Sequence, residues 1–428
     1  MLRLLGGLVL YVTTLYCGPA ARTGKGRGRE GTGLYPEVAV FGFSEGSSPA
    51  LVSCVGRQCA LLPSYEIARQ ELVARGTPLT IKVVHRIARQ VGTEVLTTRT
   101  RDLLRWRAGQ LLPGQELAGK RVAAQIDGGR IRLRRVTRKQ KGRGKKKRQR
   151  RRYKAEWREP KLLIIYEVDE QGRLKAGTKP WIDGTFGGPE EALELMAFHL
   201  HRLGAATAAV VTFVADGAPW IWERLAWVQQ RVGLTAAQVR RVLDWCHALH
   251  NVSLALEALG LAEAERRRLY RKMRRWLRRG WPGLVVRELE KRGAARGWPE
   301  ALTQPLGYLT KHLEAGHLAY GRFRRQGLPL GSGAVESAIR RVINLRLKGP
   351  GLMWLGANAE GALVLRAAAV TGRWEETLAR ARAEMGKDRQ LGWEWQSPDM
   401  VAELKAKLPI KPPVTQEASG PRDRTEAA

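Results

Sequence analysis

Residues 209–217 read AVVTFVADG, seven apolar or β-branched positions followed by Asp216 and Gly217. The run is too short for an ordinary helix, and Val, Thr and Phe favour a pleated backbone, so it predicts a strand buried on both faces. That strand delivers Asp216 at its C-terminal end, and Pro219, which suits the first turn of a helix, opens the next element. Residues 239–243 (VRRVL) can form another strand, followed by a helix over 247–259. Upstream, Pro189 starts an amphipathic helix through Leu203. Residues 161–168 (KLLIIYEV) read as a further strand of nearly continuous apolar character.

After Gly119 the texture changes from helical to β. Residues 121–126 are a short apolar-rich run ending at Asp127-Gly128-Gly129, and residues 131–136 alternate Ile, Leu and Val with Arg. This predicts two strands meeting at a glycine turn as a hairpin. Asp183-Gly184 reads as another turn of the same kind. With 161–168 as the third strand, the order β-β-β-α-β-α-β-α is that of a ribonuclease H-like mixed sheet, which places the chain in the α/β class.

Three acids stand where this order would aim them at one point. Asp127 ends the first strand and Asp216 the fourth, and in such a sheet those two strands are neighbours. Glu336 lies in 330–337 (LGSGAVES), a glycine turn followed by a helix start. Its helix continues with Ile339, Val342 and Ile343 as the packing stripe, and Arg340 lies one turn beyond Glu336, where it can meet phosphate or orient the carboxylate. Three carboxylates around a pocket suit two Mg²⁺ (or Mn²⁺) ions, because hard cations take oxygen ligands and keep sites for water and phosphate.

Charge narrows the function classes. The chain has 428 residues, 75 Lys+Arg against 40 Asp+Glu, a net charge of +35 and 44% hydrophobic residues. That composition can build a core and excludes wholesale disorder and a collagen-like rod, while the charge points to nucleic acid. Sixteen Lys/Arg and a single acid fall between positions 121 and 152. The densest part, 138–152, interleaves Lys145, Lys146, Lys147 and Arg148 with glycines and predicts a loop that tracks phosphates. In residues 64–92, Ser64 can cap a helix to Ala74, Gly76-Thr77-Pro78 breaks it, and Thr80 can cap a second through Gln90, closed by Gly92. This is a helix-turn-helix candidate, with Ile81, Val84, Ala88 and Val91 inward and Lys82, His85, Arg86 and Arg89 outward. A basic helical insertion follows over 260–330, whose residues 266–279 leave Arg274, Arg275 and Arg278 outside a stripe of Leu269, Tyr270, Met273, Trp276 and Leu277.

Apart from residues 1–17, which imitate an export signal, no long charge-free run exists, so a multi-span membrane protein is excluded. The charge argues against export and for the cytoplasm, and a mis-chosen start codon or a buried N-terminal strand is the better reading of that segment. Four cysteines, Cys17, Cys54, Cys59 and Cys246, are too scattered for a disulfide framework. Zinc at Cys246, His247 and His250 is disfavoured because adjacent helical positions point about 100° apart. Trp281 and Trp298 are expected in the core of the insertion rather than stacked on a base. Residues 386–428, rich in Pro, Lys and Glu, are expected to be a loosely ordered tail.

The segments IDGGRIRLRR (126–135), WREPKLLIIYEV (157–168), ADGAPWIWERL (215–225), VLDWCHALHNV (242–252) and LPLGSGAVESAIRRVINLRLKGPGLMW (328–354) occur in this order. Together they resemble the DDE transposases of bacterial insertion sequences, closest to the Kra-type group, over residues 34–374. The resemblance implies Asp127, Asp216 and Glu336 as the metal-binding triad. It also makes Asp244-Trp245-Cys246-His247 the Asp-x-x-His signature, with His247 orienting a carboxylate or a DNA phosphate. It implies a nucleoid-associated homodimer acting on double-stranded DNA, both terminal inverted repeats and target. The implied organisation is an N-terminal segment (1–33), a helical DNA-binding region (34–118), a catalytic core (119–259 and 331–385), an all-α insertion (260–330) and the tail. Two rivals share this fold: a non-catalytic DNA-binding regulator descended from a transposase, and a structure-specific nuclease or resolvase.

Overall fold

The computed structural model describes residues 2–12, 41–43, 46–139, 151–349 and 351–390. At the N-terminus β1 (Leu2–Arg3) and β2 (Val9–Leu10) form a small antiparallel pair. Among the described residues the helices α1 (Pro49–Leu61), α2 (Tyr65–Ala74) and α3 (Ile81–Arg107) come next. The Ser48 and Ser64 hydroxyls accept from the N–H groups of Leu51 and Ile67, capping α1 and α2 as short polar side chains do.

The central sheet has five strands: β3 (Arg121–Gly128), β6 (Lys161–Glu167), β7 (Trp181–Thr185), β8 (Val210–Ala215) and β9 (Val239–Leu243). Their order is β7-β6-β3-β8-β9, with β3–β6 and β6–β7 antiparallel and β3–β8 and β8–β9 parallel. The architecture is therefore mixed α/β. Between β3 and β6, β4 (Ile131–Lys139) and β5 (Arg151–Arg158) form a separate antiparallel ribbon.

Successive strand residues point to opposite faces, and each face has its own core. Ala123, Leu162, Ile164, Tyr166 and Ile182 pack with α1 to α3 and with the later helices α12 (Gly333–Ile339), α13 (Gly356–Val370) and α14 (Trp374–Gln390). Val122, Ala124, Ile126, Leu163 and Ile165 pack on the other face against α4 (Pro189–Leu203), with α5 (Pro219–Trp222) and α6 (Leu225–Val232) beyond it. A third core joins Val214, Val242 and Leu243 to α7 (Trp245–Ala258), α8 (Glu263–Arg279), α9 (Pro282–Ala294), α10 (Glu300–Glu314) and α11 (Tyr320–Arg325). Each fully buried Leu, Ile, Val or Phe contributes about 1.5–3 kcal/mol of transfer free energy.

Several sequence expectations are corrected here. The glycine-turn hairpin does not exist as such: β3 and β4 are consecutive but belong to different sheets. The reason is burial, since Val122 to Ile126 are buried throughout and need neighbours on both edges, while Arg-rich β4 does not. Asp183-Gly184 is no turn but the middle of β7, which supplies the third strand of the sheet. The second helix does not close at Gly92. It runs on to Arg107, because Gly92 lets α3 cross α13 at Gly361, where an added Cβ would lie 3.2 Å from the facing Cα. Its expected inward residues Val84, Ala88 and Val91 are buried, with Ile87, and Thr80 makes no capping side-chain bond. Trp281 and Trp298 are exposed rather than core. The ends of the basic segment are strand, reaching Lys139 and resuming at Arg151, while Lys145, Lys146, Lys147 and Arg148 lie outside the described residues. Among the described residues no helix is long and apolar enough to cross a membrane.

Candidate active site

The pairing of β3 with β8 sets Arg121 opposite Val210 and Gln125 opposite Val214. Carried two residues further, the same register brings Asp127 level with Asp216. In β8–β9, Ala215 lies opposite Leu243, so one step on, Asp216 is level with Asp244, whose N–H donates to the Ala215 carbonyl at 2.8 Å. Three carboxylates thus stand in a row at the C-terminal ends of three adjacent parallel strands, the edge above which open α/β sheets form their ligand crevices.

Glu336 comes to the row from α12. The start of that helix is fixed by the strand itself: buried Gln125 accepts the Val335 N–H at 3.0 Å and donates to the Gly331 carbonyl at 3.0 Å. Its amide also donates to the Tyr166 hydroxyl at 3.0 Å. From the other side, Asp244 Oδ2 accepts the Ser332 N–H at 2.6 Å, and the Ser332 hydroxyl donates to Glu336 Oε1 at 2.6 Å. Asp244 Oδ1 caps α7 through the His247 N–H at 2.8 Å and lies 2.9 Å from His247 Nδ1. A continuous chain therefore runs His247–Asp244–Ser332–Glu336.

The Asp216 turn is held as tightly. Its carbonyl accepts the Trp222 indole N–H at 2.6 Å, and its Oδ1 accepts the Ala218 N–H at 3.2 Å. Gly217 is pressed against the ring of Tyr308 on α10, where any Cβ would overlap the ring at 2.0 Å. Tyr308 of the helical insertion thus packs directly on the Asp216 turn.

Electrostatics tie the group together. Burial raises the Asp127 carboxyl above its ordinary range; the Gly128 N–H opposes this, Asp216 and Glu336 add to it, and His247 offsets it. The His247 imidazole is raised by its bond to Asp244 and by the charges of Asp216 and Asp127. Burial would raise Asp244, but the His247 and Ser332 hydrogen bonds hold it below its usual value. Among the described residues none of Asp127, Asp216 and Glu336 has a Lys or Arg ion-pair partner, so the negative charge has no permanent counter-ion. Hard carboxylate oxygens without a counter-charge fit a divalent cation. The side chains nevertheless do not form a closed ligand set: no group of three His, Cys, Asp or Glu able to hold a metal occurs among the described residues.

The remaining sequence candidates lie apart from this cleft or on its rim. Lys82, Arg86 and Arg89 are exposed along α3, and Arg274, Arg275 and Arg278 are exposed on α8 opposite buried Leu269, Met273 and Leu277. Arg340 is exposed where α12 passes into a π-helical segment, Arg340–Leu347. Asp183 belongs to a buried network instead, bonded to Arg99 at 3.0 Å and to His199 at 2.7 Å. Sequence reading missed Gln125 and Ser332. The signal for Gln125 was present, as one polar residue inside an otherwise apolar strand. No protein-family model matches the chain, and neither a curated protein nor a solved structure shows significant similarity to it.

Proposed function

We propose that this chain is a DDE-type DNA transposase with a ribonuclease H-like core, binding the terminal inverted repeats of an insertion sequence and cutting and joining DNA strands at the acidic cleft. The observation that carries the reading is the convergence of Asp127, Asp216 and Glu336, from two strand ends and one helix start, on a site where, among the described residues, no Lys or Arg pairs with them. The element order β3-β6-β7-α4-β8-α5/α6-β9-α7, with the strand order above, supports the ribonuclease H-like assignment.

Asp127, Asp216 and Glu336 would hold two Mg²⁺ or Mn²⁺ ions, which when bound supply activation of an attacking water or 3′-hydroxyl and charge stabilisation at the leaving oxygen. The chain's own part is positional. Gln125 and Ser332 fix the helix that bears Glu336, Trp222 and Tyr308 fix the Asp216 turn, and His247, kept proton-rich by Asp244, supplies a positive donor for a non-bridging phosphate oxygen. The basic faces of α3 and α8 suit double-stranded DNA, acting as a homodimer on the nucleoid in the cytoplasm.

A non-catalytic regulator draws on one observation, the absence of a closed three-ligand set among the described residues. Product analysis separates the readings. Purified protein is incubated with Mg²⁺ and a duplex carrying the inverted repeats that flank its gene, together with a target plasmid. Cleaved and joined products are expected. Cleavage without joining would favour a nuclease, and binding without either product would favour the regulator.

A further inference from the structure

Away from the acidic site, α1, α3 and α13 enclose a cavity of about 510 Å³ whose lining includes Arg89, Thr93, Thr97, Arg101, Arg346 and Asn358 and, among the described residues, no Asp or Glu. Arg346 is only 3% exposed, yet among the described residues no carboxylate meets it. Of the five N–H donors of a guanidinium, one is used among the described residues: Nε donates to the Cys59 carbonyl at 3.3 Å. Otherwise its charge lies 5.3 Å from the Tyr65 ring centre and 5.2 Å from that of Trp354. Aromatic faces attract a cation by about 0.5–2 kcal/mol, well short of the several kcal/mol needed to desolvate one. The nearby acidic hydrogens offer no anion either, because burial pushes the Cys59 thiol and the Tyr65 hydroxyl up to about 12, leaving both neutral.

A buried, fork-shaped cation with unused donors facing a roomy acid-free cavity is the arrangement that a tetrahedral oxyanion completes. We infer that this cavity is a phosphate-binding site, with Arg346 as its floor and Arg89 at its mouth. Arg89 has no polar partner among the described residues, and Thr93 and Thr97 bring hydroxyl donors from the same helix. The cavity adjoins a second groove on α3, lined by Lys82, His85, Arg86, Arg89 and Thr93 with Glu94 as its single acid. Glu94 accepts from the Gln90 amide at 2.8 Å. A phosphate of a nucleic-acid backbone running along α3 and a free phosphate both satisfy this chemistry. The inference rests on the charge and burial of this cavity and not on the reading of the acidic cleft.

The test uses the full chain and two probes, inorganic phosphate and a 20-base-pair duplex, on wild type, Arg346→Met, Arg89→Ala and, as a control for the cleft, Asp216→Asn. A backbone phosphate predicts that both Arg variants flatten the slope of log duplex affinity against log salt by about 0.9 per lost contact, with inorganic phosphate competing. A free phosphate predicts a saturable rise in melting temperature with phosphate, weakened at least tenfold in apparent affinity by either Arg variant, with the duplex slope unchanged. Asp216→Asn should match wild type in both arms, even if the chain proves to cut no DNA. If Arg346→Met does not fold, Arg89→Ala alone decides, being an exposed change. Wild-type-like behaviour of Arg89→Ala and of folded Arg346→Met with both probes would overturn the proposal.

Discussion

Gln125 and Val335 are joined by a buried 3.0 Å hydrogen bond across 210 positions of sequence, and that bond makes the strand ending in Asp127 also the anchor of the helix bearing Glu336. Replacing Gln125 with Leu keeps the volume but leaves the Val335 N–H and the Gly331 carbonyl without their buried partner. An unsatisfied buried group costs about 1–3 kcal/mol. Gln125→Leu is therefore expected to lower unfolding free energy by roughly that amount in urea melts. It should also reduce cleavage by at least tenfold while duplex affinity is kept. Unchanged cleavage in a folded variant would mean that Glu336 is held by Ser332 alone.

Asp183 makes the complementary case of an acid that is structural. Burial alone would raise its carboxyl, but the Arg99 charge and the His199 hydrogen bond hold it down at about 2. Arg99 also pairs with Glu360 on α13, so it ties β7 to that helix. Arg99→Met strands a buried carboxylate, which costs about 3–5 kcal/mol. A melting temperature lowered by many degrees is expected, with cleavage per folded molecule little changed where the variant is still folded. Little loss of stability would show that water replaces the guanidinium.

His312 and His317 supply a pH dependence. Their Nδ1 atoms are 3.0 Å apart, His317 stacks on Trp222 at 4.2 Å, and burial pulls both imidazoles down to about 4, helped by Lys311 for His312 and by His312 for His317. The folded state therefore holds them neutral, whereas the unfolded chain takes up protons near 6.5. Their contribution to stability is complete above about pH 6.5 and is lost as pH falls towards 4. The slope is up to about 1.4 kcal/mol per pH unit for each proton. His199, also pulled down to about 4 by burial, acts in the same window. Melts between pH 7 and pH 4.5 should show a shallower decline for His317→Phe than for wild type. Parallel curves would mean that other groups govern the acid side.

Much of the sheet was legible because its signals are local. The runs AVVTFVA, KLLIIYEV and VRRVL carry their strand character in their own composition, and each appears as a strand. Adjacency of the first and Asp216-bearing strands followed from element order alone. What failed depended on partners distant in sequence. Asp183-Gly184 has turn composition, and only Arg99, 84 positions away, makes a buried aspartate tolerable there. Gly92 has the look of a helix end, and only the approach of Gly361 explains it as a crossing point. The strand at 131–136 was given the wrong partner because alternating Arg and apolar residues specify a half-exposed strand without naming its partner. The positions of Asp127 and Asp216 at neighbouring strand ends and of Glu336 at a helix start were readable, whereas Ser332 and Gln125 act through backbone groups that composition does not mark.

The acidic cleft itself is tested most directly by Mg²⁺-dependent strand cleavage of a terminal-repeat duplex by wild type, Asp127→Asn, Asp216→Asn and Glu336→Gln, with duplex affinity measured alongside. The amides keep shape and lose the charge that a cation requires. Loss of cleavage by at least about a thousandfold in each variant, comparable to removing a principal electrostatic group from an active site, is expected with duplex affinity unchanged. Near-wild-type cleavage by any one of the three would contradict the account for that residue and shift its role to Asp244, the third carboxylate in the row.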